Sequence, residues 1–191
     1  ENINRMINLI NDLLDVTKIE EQKFNYKFVV TDVVAIVQEQ IKQLATLAKE
    51  ANVTVKLNYE PVGEMLAEVD IEKINLAINN LLDNGIKYSK KDGVVEINLS
   101  KHGSLVHGYV KDHGLGIPTK SQPEVFTKFF RATNILKVVT EGSGLGLFLT
   151  KDIISKHDGR VWFESTEGTG TTFFFDLPIA QRRVDAPTLL L

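Results

Sequence analysis

One helix limits what this chain can become. In "IEKINLAINNLLDNGIKYS", residues 71–89, the apolar Ile74, Ala77, Ile78, Leu81, Leu82 and Ile86 recur at three- and four-residue steps and make one greasy face. Such a face has to lie against a sheet or other helices, and Asp70 stands before it as an N-cap. The other side carries Asn80, Asn84 and Lys87 at i, i+4 and i+7. Asparagine is a poor residue for a helix interior, because its amide competes for backbone hydrogen bonds. Asn79, Asn80 and Asn84 therefore need a reason. Two stand open: a solvated polar face, or amide oxygens that complete a Mg²⁺ shell whose other oxygens come from phosphate and water. In the second, Lys87 adds a point charge to those phosphates.

The rest of the chain supplies what that helix can pack on. "ENINRMINLINDLLDVTKIE" has its own helical stripe of Ile3, Met6, Ile7, Ile10, Leu13, Leu14 and Thr17, which asks for a partner helix. Phe24, Tyr26 and Phe28 alternate as a short strand, and Thr31 or Asp32 caps a helix running to about Glu50. Residues 53–59 alternate as a strand, and Pro61 with Gly63 marks a loop. "VVEINLS" and "LVHGYVKD", joined through "HGS", read as adjacent antiparallel strands. A glycine loop, a short Phe-rich helix, a second glycine loop, a helix and the strands "RVWFES" and "TTFFFDLP" follow, with 135–143 and 164–170 as loops. The expected fold is an α/β (α+β) sandwich over residues 24 to 180, a mixed sheet covered by helices on one face and preceded by an amphipathic helix.

Composition removes several classes of function. A chain of 191 residues, 43% hydrophobic, can bury one sizeable core. Its 22 basic and 25 acidic residues leave a net charge of -3, no electrostatic reason to bind nucleic acid or an anionic membrane. There is no cysteine, hence no disulfide and no thiolate ligand or nucleophile, which fits a reducing, cytoplasmic setting. No apolar run approaches the roughly 20 residues of a membrane-spanning helix. His102, His107, His113 and His157 share no spacing with acidic residues of the kind a metal cluster needs.

Three further stretches carry polar groups that ask for a ligand. In "VKDHGLGIP" a strand ends on Asp112, followed by Gly114 and Gly116. This is either a plain turn or a carboxylate that accepts from an adenine amino group, with glycines letting the base approach the backbone. In "GSGLG", Gly142 to Gly146, alternating glycines precede a helix. They form either a flexible turn or a cradle of backbone N–H groups for phosphate, strengthened by the helix start. Neither the Walker loop nor the dinucleotide fingerprint matches it. In "EVFTKFFRATN" the phenylalanines suit core packing, and Arg131 is either a surface residue or a planar fork for a terminal phosphate.

In that order, the asparagine helix, "DHGLGIP", "VFTKFFR" and "GSGLGL" closely resemble the N, G1, F and G2 boxes of bacterial sensor histidine kinases. "INDLLDVTKIE" resembles the end of the second helix of the family's dimerisation and phosphoacceptor hairpin. The resemblance covers nearly the whole chain. It implies a Bergerat-type ATP-binding fold, with residues 1–22 ending the hairpin, 23–180 forming the catalytic ATP-binding domain and 181–191 a tail. ATP and Mg²⁺ are the implied cofactors. By motif position, Asn84 resembles the Mg²⁺ ligand, while Asn80, Lys87 and Tyr88 fall beside phosphates and ribose. Asp112 resembles the adenine reader, supported by Gly114, Gly116 and Ile117, with Thr171 as a hydroxyl near the base. Gly142, Ser143, Gly144, Leu145 and Gly146 resemble the phosphate loop, and Arg131, with Lys128 nearby, the γ-phosphate contact on a lid spanning 135–143. Asn80, Lys87 and Arg131 are the implied catalytic set. Two residues depart from the pattern: Gly85 replaces the usual alanine, and Asp158 stands where a glycine is typical.

The same resemblance bears on mechanism. Related ATPases such as type II topoisomerases place a water-activating glutamate four residues before the metal asparagine; here that position is Asn80, an amide without basicity. Hydrolysis is disfavoured, and transfer to another nucleophile, which needs mainly positioning and charge stabilisation, is favoured. The family's acceptor lies in an H-E-x-R-T-P-like box, and none of the four histidines here has such flanks. The expectation is thus a fragment whose acceptor histidine lies upstream, on a hairpin of the same protein. Its implied partners are that hairpin, a response regulator receiver domain and, in the full-length protein, a second copy; the setting is cytoplasmic, including the cytoplasmic part of a membrane-bound sensor. Two other readings keep the same site: a nucleotide-responsive interaction module without catalysis, and an anti-sigma-type serine kinase. The amphipathic helix ahead of the first strand argues against the latter.

Overall fold

The computed structural model describes residues 2–21, 23–60, 64–136 and 142–180. Helix α1 covers Asn2–Glu20, and strand β1, Val29–Asp32, pairs antiparallel with β3, Leu66–Val69. A larger sheet of five strands has the order β2 (Thr54–Tyr59), β4 (Val94–His102), β5 (Leu105–Lys111), β7 (Gly170–Pro178), β6 (Arg160–Thr166). β2 runs parallel to β4 and every other neighbouring pair is antiparallel, so the sheet is mixed.

Alternation along the strands decides which face is covered. Val106 and Val110 of β5, and Phe173, Phe175 and Leu177 of β7, are buried beneath helices, whereas His107, Tyr109 and Phe174 point to the other face. Helix α4, Ile71–Tyr88, lays Ile74, Ile78, Leu81, Leu82 and Ile86, each at most 1% exposed, into this core. Burying five such side chains contributes on the order of 10 kcal/mol before chain entropy is counted. Asp70 caps α4 by accepting from the Lys73 amide at 3.1 Å, as the sequence predicts. Helices α2 (Val33–Gln43) and α6 (Gly146–Lys156) flank α4 on the same side of the sheet. Gly85 faces the strands at close range: a Cβ there would stand 3.2 Å from Val95 Cγ1.

Four expectations are corrected. Residues 23–28 are not a strand, because the Lys27 amide donates to the Asp70 carboxylate at 2.7 Å and strand pairing begins only at Val29 opposite Val69. The helix after Asp32, which does cap it, breaks at Leu44 (φ -88°, ψ 2°), and α3 continues over Ala45–Glu50. Phe126 and Phe129 lie in turns and Phe130 in irregular chain after a 3-10 helix at Thr119–Glu124, not in a helix of their own. Phe129 has φ +61°, which no helix tolerates, and α5 is limited to Thr133–Leu136. Finally, β6 and β7 run on to Thr166 opposite Gly170, so the loop between them shrinks to 167–169. Residues 61–63, 137–141 and 181–191, which hold one expected loop, most of the expected lid and the expected tail, lie outside the described residues.

Candidate functional site

The polar side of α4, the ends of β5 and β7, and the chain from Val125 to Ala132 meet the start of α6 around a cavity of about 800 Å³. Small-molecule sites span about 300–1,000 Å³. Asn79, Asn80, Asp83, Asn84, Lys87 and Tyr88 line it from α4, because their three- and four-residue steps keep them on the side opposite the core stripe. Asp112, Gly116, Ile117 and Thr171 line one end, and Arg131, Gly142, Ser143, Gly144 and Gly146 the other.

The first end is braced throughout. Asp112, 6% exposed, accepts at Oδ1 from the amides of Gly114 (2.8 Å) and Thr171 (3.3 Å). Burial still raises its carboxyl above the ordinary range, against the pull of those two amides. Ile117 donates its amide to Ser165 Oγ at 2.8 Å, and Ser165 shares a hydrogen bond with Thr171 Oγ1 at 2.8 Å. Gln122 Nε2 donates to the carbonyls of Ile117 and Ser165, both at 3.1 Å, and Asn134 Nδ2 to that of Gly116 at 2.9 Å. A carboxylate held this way can read a ligand N–H, since a buried acceptor gains from a donor.

The second end is built for negative charge. Helix α6 starts at Gly146 with Leu145 at its cap and no side-chain cap bond, so the positive helix end meets the cavity. Asn80 Nδ2 donates to the Gly146 carbonyl at 3.1 Å and Thr150 Oγ1 to the same oxygen at 2.9 Å, tying α4 to the loop. Lys87 pairs with Asp83 at 2.6 Å, and the charges of Arg131 and Lys87 act on Tyr88, whose phenol burial pushes up. Among the described residues no group of three or more His, Cys, Asp or Glu could hold a metal by itself. The donor set instead fits a hard cation that brings its own oxygens: the Asn84 amide, neighbouring carboxylates and an anion-seeking loop.

Three residues assigned from sequence stand apart from the cavity lining. Gly114 is pressed on the Tyr88 carbonyl, Leu145 is a core anchor at 1% exposure, and Lys128 pairs with Glu20 of α1 above the Phe148 ring. Sequence reasoning missed others. Asp83 carried a readable signal, its i, i+4 spacing to Lys87. Asp12 and Asp15 did not: they belong to α1, which brings Leu9, Asn11, Asp12 and Asp15 to the cavity, Asp12 lying 131 residues before its partner Ser143. Ser143 Oγ donates to Asp12 Oδ2 at 2.7 Å. Burial is the largest influence on Asp12 and raises its carboxyl, opposed next by that hydrogen bond.

Residues 69–181 match the family described as histidine kinase-, DNA gyrase B-, and HSP90-like ATPase. Over 183 residues, 95% of its length, the chain is 33% identical to the sensor histidine kinase WalK of Bacillus subtilis (strain 168), of which it spans 30%. Among solved structures, full-length ShkA in complex with AMPPNP superposes with a TM-score of 0.78 at 21% identity, covering 92% of this chain and 36% of that one. Histidine kinase ThkA in complex with the response regulator TrrA gives 0.69 at 22% identity, covering 94% and 52%. At these identities the two structures speak for the fold alone.

Proposed function

The chain belongs to the histidine kinase-, DNA gyrase B-, and HSP90-like ATPase family, and from that premise we propose that it is the catalytic ATP-binding part of a sensor histidine kinase. It binds MgATP in the cavity under α4 and transfers the γ-phosphoryl group to a histidine outside these 191 residues. Residues 1–22 are assigned to the end of the phosphoacceptor hairpin, 23–180 to the catalytic domain and 181–191 to a tail. The chain spans about 30% of the WalK protein, so the acceptor hairpin, the response regulator and a dimer of the full-length protein are partners of the whole. ThkA bound to TrrA supports the regulator as the kind of partner. Among the described residues no helix is long and apolar enough to cross a membrane.

The observation that carries the reading is Asn80. One step ahead of Asn84 on the cavity side of α4, it holds the start of α6 through its Nδ2 and offers no base for activating water. Asn84 would complete the Mg²⁺ shell, Asp112 would accept from the adenine amino group, and Lys87 and Arg131 would neutralise phosphate charge. Bound MgATP supplies the phosphoryl donor, and the chain's own residues orient it and exclude water.

The direct test mixes the chain with Mg²⁺, γ-labelled ATP and a separate polypeptide bearing an H-E-x-R-T-P-like box from a relative. Acid-labile, alkali-stable label on that polypeptide is the expected result. Tight ATP binding with no transfer to any such acceptor would defeat the kinase reading.

A further inference from the structure

Helix α1 meets the rest of the chain through a different stripe from the exposed one of Met6, Ile10 and Leu14. Asp12, Val16 and Glu20, at i, i+4 and i+8, lie along one face. Val16 is 3% exposed; on either side of it, Asp12 accepts from Ser143 at 2.7 Å and Glu20 pairs with Lys128. Met6, Ile10 and Leu14 are exposed at 65%, 51% and 51%. The helix is thus docked by two carboxylates around the buried Val16, with the partly buried Ile19 packed beside it.

The Asp12 carboxylate is an anion seated at the loop whose glycines and helix start favour anions. Ser143 has a single hydroxyl proton, and it is given to Asp12. A phosphate brought to that loop would find this donor taken and the carboxylates of Asp12, Asp15 and Asp83 close by, with Lys87 already paired to Asp83. Asp12 and a phosphate oxygen cannot both hold Ser143.

We propose that α1 is a built-in competitor of the nucleotide: Asp12 occupies an anion position at Ser143, and phosphate bound there releases α1 from the catalytic domain. The proposal rests on the nucleotide reading of the cavity and adds a coupling to it. The coupling is reciprocal, so whatever draws α1 away raises nucleotide affinity by the factor with which nucleotide loosens α1. A pull on the helix preceding the domain is thereby converted into occupancy of the phosphate loop.

The test compares Mg²⁺-dependent binding of a non-hydrolysable ATP analogue by the full chain and its Asp12→Ala and Glu20→Lys variants, using calorimetry. Asp12→Ala should bind about five- to tenfold more tightly, the share of a charge-assisted contact that remains after screening, and Glu20→Lys, which breaks an exposed pair, about two- to threefold. Glu20 pairs with Lys128 away from the cavity, so a gain there reports undocking of α1 and not a local change at Ser143. In the parent chain the analogue should also speed tryptic cleavage after Lys18; in Asp12→Ala that cleavage should be fast already. Weaker binding by Asp12→Ala would make Asp12 an aid to the metal and overturn the proposal, as would unchanged affinity in both variants. Binding by none of the three proteins would overturn the nucleotide reading together with it.

Discussion

The two glycine loops that border the cavity look alike in sequence and are held in opposite ways. In residues 112–116 the chain is enclosed by backbone: a Cβ on Gly114 would fall 1.9 Å from the Tyr88 carbonyl oxygen, and one on Gly116, at φ +61°, 2.0 Å from that of Thr166. In residues 142–146 the support is uneven: Gly144 (φ +70°) leans on the Phe129 backbone at 2.7 Å and Gly146 on the Asn80 amide at 3.1 Å, while the Gly142 end stands open. A Cβ on Gly142, at φ +125°, would meet nothing closer than 4.0 Å. A fixed wall suits recognition of one planar group by Asp112. A loop open on one side suits a charged group that must come and go, because its amides cannot be spent on packing.

That contrast can be broken first at Gly114. Alanine there drives Cβ into a carbonyl and should cost more than about 3 kcal/mol, enough to lower the thermal midpoint severely or prevent folding. A Gly114→Ala protein that melts like the parent would mean that the wall is not fixed.

Asp112→Asn separates binding from stability on the same loop. Nucleotide affinity should fall at least about tenfold, as a buried charged acceptor is lost. Stability without nucleotide should move the other way. Burial raises the Asp112 carboxyl in the folded chain, so ionising it costs stability as pH rises through that folded value. The variant should therefore melt slightly higher at neutral pH, and the advantage should vanish once pH drops below the ordinary carboxylate range. Melting curves at both ends of that window, with a binding titration, would check it.

At the open loop, Gly142→Ala should cost only about 1 kcal/mol, from backbone strain at its positive φ without a clash. Its affinity for nucleotide should suffer more than its stability, the reverse of Gly114→Ala. The far end of α6 provides a control without ligand duty. Asp158 sits at φ +54° in the turn where its amide donates to the Ser155 carbonyl, so Asp158→Gly should stabilise by about 0.5–1 kcal/mol. No change in nucleotide affinity should accompany it.

The elements that were legible in the sequence are those with a period. The stripe of α4, its Asp70 cap and the antiparallel pair β4–β5 follow from three-, four- and two-residue repeats acting over short stretches. The asparagine side was equally readable, because helix geometry alone puts Asn80, Asn84 and Lys87 together. What failed were segments whose conformation is set by a distant partner. Phe24, Tyr26 and Phe28 alternate like a strand, yet Lys27 donates to Asp70; Phe129 reads as helical, yet its backbone turns left-handed beneath Gly144.

The sequence by itself determined the residue types at the site and the order in which they arrive, since local periodicity and turn chemistry act within a few residues. Tertiary structure alone decided which of them share a space. It gathered Asp112, Asn84 and Ser143 around one cavity, turned Gly114, Leu145 and Lys128 away from it, and brought Asp12 of α1 against Ser143. The physical reason is that a hydrogen bond between residues so far apart depends on how helices pack on a sheet, and no local pattern encodes that distance.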